Sequence, residues 1–200
     1  MIANRGSAVA LIALGLVGCA SSPPTRFLTL TSYSPVVTQE TPTAIPIAVG
    51  VVTVPVVLDR LAVVTEGADT VLKVDDFARW GAPLGDLARR ALIEDLAARR
   101  GAQTVVFPNS PAPAGAWLVT VNILALQRGE GGYAMTANWT ASKRIGGTQN
   151  YEVRSHSLRL ATAQAESGSR GEAEALSQLL GELADHISES LGSSAGSVSQ

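Results

Sequence analysis

A single cysteine, two histidines and three each of Trp, Tyr and Phe are all that 200 residues offer of the side chains that staple, ligate or stack. Cys19 has no partner for an internal disulfide, and His156 and His186 stand thirty residues apart. Neither a thiolate nor an imidazole zinc cluster can be assembled from them, so a structural zinc is excluded and no metal is expected. Charge is sparse as well, at 16% of positions, and fifteen bases against seventeen acids leave a net charge of -2. That balance supplies no basic field to hold a phosphate backbone, which excludes nucleic acid as a partner. The length fits one globular domain rather than two. The apolar run near the amino terminus, Ala8 to Val17, falls short of the roughly twenty residues a helix needs to cross a bilayer.

What that run does have is context. Residues 1–18 carry one positive charge at Arg5, then the apolar stretch, then small residues, which is the layout of a secretory signal. Leu16-Val17-Gly18-Cys19 matches the bacterial lipobox, in which the cysteine thiol is diacylglycerylated before cleavage and becomes the acylated first residue. Cys19 is therefore the expected lipidation site, and its covalent diacylglycerol and N-acyl chains are the only prosthetic chemistry expected; no cofactor is. Several acyl chains on one residue give attachment that one chain cannot, at about 0.8 kcal/mol per buried methylene. The residue after the cysteine is Ala20 and not Asp, which favours the outer membrane. Residues 19–25, with Pro23 and Pro24, read as an extended tether, residues 26–191 as one domain, and residues 192–200, rich in Ser and Gly, as a disordered tail.

Within the domain, Arg26 to Leu30 reads as a short first strand, followed by a mobile Ser, Pro and Thr rich connection through Thr43. Ile47 to Val54 is rich in valine and bounded by Pro46 and Pro55, which predicts a central strand buried on both faces. Ala62–Thr65 and Thr70–Val74 flank turn residues and predict a hairpin. From Pro83 to Arg100 the residues Leu84, Leu87, Ala88, Ala91, Leu92 and Leu96 recur at helical spacing, with Asp86, Arg89, Arg90, Glu94 and Arg99 on the opposite, solvated face. Thr104 to Phe107 is a further strand. Trp117 to Gln127 and Tyr133 to Ser142 alternate apolar and polar around a glycine-rich turn, Tyr151 to Thr162 follows as a third long strand, and Glu172 to Leu191 carries a leucine stripe. The sum is an α+β fold, a largely antiparallel sheet with two amphipathic helices packed on one face.

Two stretches carry more than composition. Ile47-Ala48-Val49-Gly50-Val51-Val52-Thr53-Val54-Pro55 followed by Leu58-Asp59-Arg60, and Phe77-Ala78-Arg79-Trp80-Gly81-Ala82-Pro83-Leu84 ahead of a helix, resemble the signature of the PqiC (YmbA) family of auxiliary lipoproteins. The lipobox and the Phe27-Leu28-Thr29-Leu30 strand stand in the order that family uses. The resemblance departs at Val57, Leu61-Ala62 and Glu66, where family members carry an aromatic, a Pro-Gln pair and an arginine. It implies a non-catalytic periplasmic lipoprotein anchored in the outer membrane that serves an MCE-domain (PqiB-like) transporter protein in lipid movement, and ring-shaped self-assembly. Asp59, Arg60, Arg79 and Trp80 are the interface candidates. Read as structure, Asp59 and Arg60 cap a turn and pair with each other, and Arg79 stacks across Trp80.

No stretch of the sequence assembles a recognisable reactive constellation. The Gly-x-Ser-x-Gly match, Gly192 to Gly196, runs from a helix into the tail rather than from strand to helix. His156 reads as a solvated strand residue and His186 as a surface residue. Gly129-Glu130-Gly131-Gly132 lacks the Lys-Ser or Lys-Thr of a phosphate loop, and Asp75-Asp76 and Glu94-Asp95 read as solvated or capping acids. The alternative to a docking accessory is a carrier that holds lipid between the leucines of the last helix and the sheet.

Overall fold

The computed structural model describes residues 23–33, 45–67, 71–108, 110–129, 131–146, 150–162 and 166–192. The signal segment, Cys19 and the first part of the tether lie outside the described residues, as do most of the 31–43 connection, the centre of the first hairpin turn and the tail beyond residue 192.

The alternation of Trp117, Val119, Val121 and Ile123 builds the spine of the sheet. Strand β6 (Trp117–Gly129) turns back into β7 (Gly132–Arg144), which turns into β8 (Tyr151–Ala161), and both ladders are antiparallel. The other edge of β6 is shared. Its first half pairs in parallel with β2 (Ile47–Thr53), and its last residues, Gln127 and Arg128, pair in parallel with β3 (Ala62–Gly67). The sheet therefore forks. One branch ends in β5 (Val105–Val106) beside β2, and the other continues through β4 (Leu72–Trp80), antiparallel to β3, to β1 (Arg26–Leu28), parallel to β4. The long ladders are the antiparallel ones, and the architecture is the α+β class expected.

Two helices cover one face. Helix α1 (Leu84–Arg100) starts behind Pro83, whose fixed φ suits a helix entry, and ends at Gly101, held at φ 91°. Helix α2 (Ser169–Gly192) buries Leu176, Leu179, Leu180, Leu183, Ile187 and Leu191 together with the inward residues of β6 and β7. Each such side chain contributes about 1.5–3 kcal/mol by leaving water. Helix α1 approaches β2 so closely that a Cβ on Gly85 would stand 2.7 Å from the Val52 carbonyl oxygen.

Three local expectations need correction. Strand β2 is buried on one face only: Ile47, Val49 and Val52 point inward while Val51 is 64% exposed, because the helices leave the far face of the sheet open and the ladder slips between Val49 and Val52. Strand β5 shrinks to two residues because Thr104 closes a 3-10 turn, its hydroxyl donating to the carbonyls of Arg100 and Gly101. Arg99 is not on a solvated face but is buried between the helices, and Asp95 is fully buried rather than solvated or capping.

Candidate functional site

Asp95 and Arg99 belong to a polar network that fastens the amino-terminal segment to the helices. After β1 the chain runs over the α1–α2 seam. The Thr31 N–H donates to Ser177 Oγ (3.2 Å), the Ser32 hydroxyl to Asp95 Oδ1 (2.8 Å), and Arg99 Nη2 to the Tyr33 carbonyl (3.2 Å). Arg99 also grips Asp185 of α2 through Nε (2.5 Å) and Nη2 (3.1 Å), and meets Asp95 at 3.3 Å. Burial pushes the Asp95 carboxyl above its ordinary range, with Ser32 and Arg99 pulling it back. The Tyr33 carbonyl oxygen would lie 2.6 Å from a Cβ at position 181, so Gly181 is what lets this segment sit against α2.

At the end of the sheet where β3 meets β4, an open cleft of about 790 Å³ is lined by Thr65, Lys73, Asp75, Phe77, Arg128 and Ser169, among others. Asp75 organises its rim, accepting from the Ser169 hydroxyl at the start of α2, from the Phe77 N–H (2.9 Å) and from Arg26 (3.3 Å); these donors hold its carboxyl below the usual range. Beside the cleft Glu172, only 2% exposed, accepts from the Thr65 hydroxyl. Burial pushes its carboxyl up to about 7, against the pull of Thr65 and of Arg128. Tyr133, whose ring lies 5.9 Å from the Arg128 guanidinium carbon, is raised to about 12 by burial and by Glu172, and its buried hydroxyl has no hydrogen-bond partner among the described residues.

A third cluster lies toward the opposite end of the sheet. Lys143 and Arg154 stand over the Trp117 ring at 4.5 and 5.2 Å and share Glu152, whose carboxyl they hold low. His156 stacks on Trp139 (centroids 4.6 Å, interplanar angle 15°), and its Nε2 lies 3.2 Å from Ser190 Oγ. Both cations over one indole, with a carboxylate between them, make a packed ion cluster with cation–π character. Among the described residues there is no group of three or more His, Cys, Asp or Glu side chains able to hold a metal.

The interface candidates are scattered by comparison. The turn carrying Asp59 and Arg60 is closed by backbone, the N–H groups of Leu58 and Asp59 both donating to the Pro55 carbonyl; both side chains are exposed, and their mutual ion pair is not formed. Arg79 and Trp80 are consecutive on β4 and so point to opposite sides, which removes the expected stacking. Trp80 is buried in the core and Arg79 is exposed. Cys19 lies outside the described residues. His186 is exposed, as expected.

Sequence reasoning passed over Glu172 as a functional residue, yet the signal was present. Position 172 falls four residues before Leu176, on the leucine stripe itself, where a carboxylate must be buried. Asp95 and Arg99 likewise fall on the apolar stripe of α1, three residues beyond Leu92 and Leu96.

Residues 28–188 match the family model described as the ABC-type transport auxiliary lipoprotein component. The chain belongs to that family. The lipoprotein's fold is similar to that of a crystal structure titled only as an uncharacterized protein, with a TM-score of 0.64 and 17% identity over 84% of this chain and 99% of the other. A crystal structure of a Xanthomonas campestris protein assigned to the DUF330 family model aligns with a TM-score of 0.49 and 15% identity, over 81% of this chain and 96% of that one. No curated protein matches the sequence. As an auxiliary component the lipoprotein serves a transport system, and no helix among the described residues is long and apolar enough to cross a membrane.

Proposed function

We propose that this auxiliary lipoprotein is a non-catalytic subunit of an MCE-type intermembrane lipid transport system, anchored by acylated Cys19 in the outer membrane and docking on the periplasmic end of the MCE tunnel. The observation that carries the reading is the family match over nearly the whole folded region, 28–188, behind a lipobox. In this arrangement the lipid supplies location, the tether supplies reach, and the folded domain supplies the contact, so that anchoring raises the effective concentration of the docking surface at its partner. Exposed Asp59, Arg60 and Arg79 are the proposed contributors, while Trp80 supports β4 from inside. Docking in this way supports membrane integrity by keeping the tunnel end at the outer membrane, with self-assembly into a ring as the resemblance implies.

Two features support docking over the alternatives. The leucines of α2 that would line a carrier's pocket are core, with Leu179, Leu180 and Leu183 at 0% exposure against the sheet. The Ser190–His156 contact joins the last turn of a helix to a strand, with no carboxylate on the second ring nitrogen among the described residues, so the third member that orients a catalytic base is missing.

The test is affinity capture of the full-length lipoprotein from detergent-solubilised native membranes, comparing wild type with Cys19→Ala exported by a cleavable signal. Recovery of an MCE-domain protein in both samples assigns docking to the folded domain. Its absence from both refutes the reading.

A further inference from the structure

On the β3–β4 hairpin the inner strand is core, with Val63 and Val64 buried, while the outer strand β4 is open along its first residues. On a half-buried strand consecutive side chains alternate between inside and outside, yet Val71, Leu72, Lys73 and Val74 are all exposed, the three apolar ones at 50%, 43% and 51%. Among the described residues this strand end presents aliphatic surface at the mouth of the cleft, which Lys73 and Val74 line.

The register of β1 says what lies next to it. Strand β1 is parallel to β4, with Arg26 opposite Ala78, so the chain preceding Arg26 leaves the fold in the direction of the hairpin tip. From Arg26 back to Cys19 is seven residues, and from Ala78 back to Val71 is also seven. Fully extended, that tether spans at most about 25 Å, the same length as the strand beside it. Downstream of Arg26 there is no slack to add: Gly81 N–H donates to the Leu28 carbonyl and the segment to Tyr33 is fastened to both helices. The tether can therefore bring Cys19 level with the hairpin tip and no further.

We propose that the tip of the β3–β4 hairpin, Val71, Leu72 and Val74 with Lys73, is a second, non-covalent contact with the lipid bilayer, resting in the headgroup layer of the membrane that holds the acyl chains of Cys19. The inference rests on the acylation of Cys19. The aliphatic side chains suit that layer because their surface leaves water while the Lys73 ammonium stays among phosphates, and the flanking acids Glu66, Asp75 and Asp76 hold the contact to the headgroup level rather than the hydrocarbon. Two contacts, one covalent and one at the hairpin, fix the orientation of the domain: the end carrying Tyr151 and Val153 then points away from the membrane by the length of a thirteen-residue strand, about 40 Å. Arg79, on β4 eight residues after Val71, and the far end of the sheet then stand clear of the bilayer, accessible to a partner approaching from the periplasm.

The experiment places one environment-sensitive fluorophore on a cysteine at Leu72→Cys or Val74→Cys, and for comparison at Val153→Cys, in the full-length lipoprotein processed in cells. Each variant is reconstituted into vesicles of phosphatidylethanolamine and phosphatidylglycerol, with and without a lipid carrying a quencher just below the headgroup. The expected result is a blue shift and quenching at positions 72 and 74 and neither at 153. Protein that floats with the vesicles but shows no quenching at 72 and 74, or equal quenching at 153, overturns the hairpin contact and leaves the anchor reading standing. Protein that does not float, with Cys19 reacting as a free thiol, overturns both.

Discussion

Replacing Glu172 by glutamine removes one ionisable group from the protein and leaves an amide oxygen to accept from the Thr65 hydroxyl. The folded-state carboxyl titrates at about 7 against an unperturbed 4.5, raised by burial. Below 4.5 the group is protonated whether the chain is folded or not, and it affects stability equally in both states. As pH climbs from 4.5 through 7 the unfolded chain ionises first, and the folded state is penalised by about 1.4 kcal/mol per unit, approaching about 3 kcal/mol above pH 7. The Glu172→Gln protein escapes that penalty. Its stability relative to wild type therefore rises by about 3 kcal/mol between pH 4 and pH 8, which corresponds to roughly 6–12 °C in melting temperature for a chain of this size. Urea titrations at a series of pH values, followed by the emission of buried Trp80, Trp117 and Trp139, read the difference directly. A stability difference between the two proteins that stays constant from pH 4 to pH 8 refutes the assignment of a buried, protonatable Glu172.

Other substitutions test the packing and the site. Arg99→Met leaves Asp95 buried without its cation and costs about 3–5 kcal/mol in chemical denaturation, and the double replacement with Asp95→Leu recovers most of it. Gly181→Ala drives a methyl group against the Tyr33 carbonyl and destabilises by about 1–3 kcal/mol despite the better helix propensity of alanine, a loss visible as earlier thermal unfolding. On β4, Trp80→Ala lowers stability by about 3–5 kcal/mol, whereas Arg79→Ala changes it by less than about 0.5 kcal/mol. Partner capture by the Arg79→Ala protein then reports on the proposed docking surface without a folding defect.

The long amphipathic elements were legible because their burial is one-sided. The alternation of Trp117 to Ile123 and of Tyr133 to Trp139, and the spacing of Leu176 to Leu191, each satisfy a single period, and the structure buries the residues those periods select. Strand β2 was legible as a strand but not in its exposure, since a run of valines fits equally a strand covered on both sides and one covered on a single side. The fork of the sheet was hidden for a similar reason: nothing local tells that β6 shares one edge between β2 and β3. The polar positions were the hardest. Asp95, Arg99 and Glu172 sit on the apolar stripes of their helices, which a reading by charge overlooks, and the groups that satisfy them there, Ser32, Tyr33, Asp185 and Thr65, arrive from distant parts of the chain. Arg79 and Trp80 were grouped by adjacency, and the strand that carries them separates them.

Binding between the purified full-length Cys19→Ala protein and a purified MCE-domain protein from the same organism is the most direct test of the proposed role. Titration in the absence of any membrane removes co-localisation as an explanation. A saturable complex that survives loss of the lipid and weakens when Asp59, Arg60 and Arg79 are replaced together is the predicted result. No complex at any concentration of either protein would contradict the account.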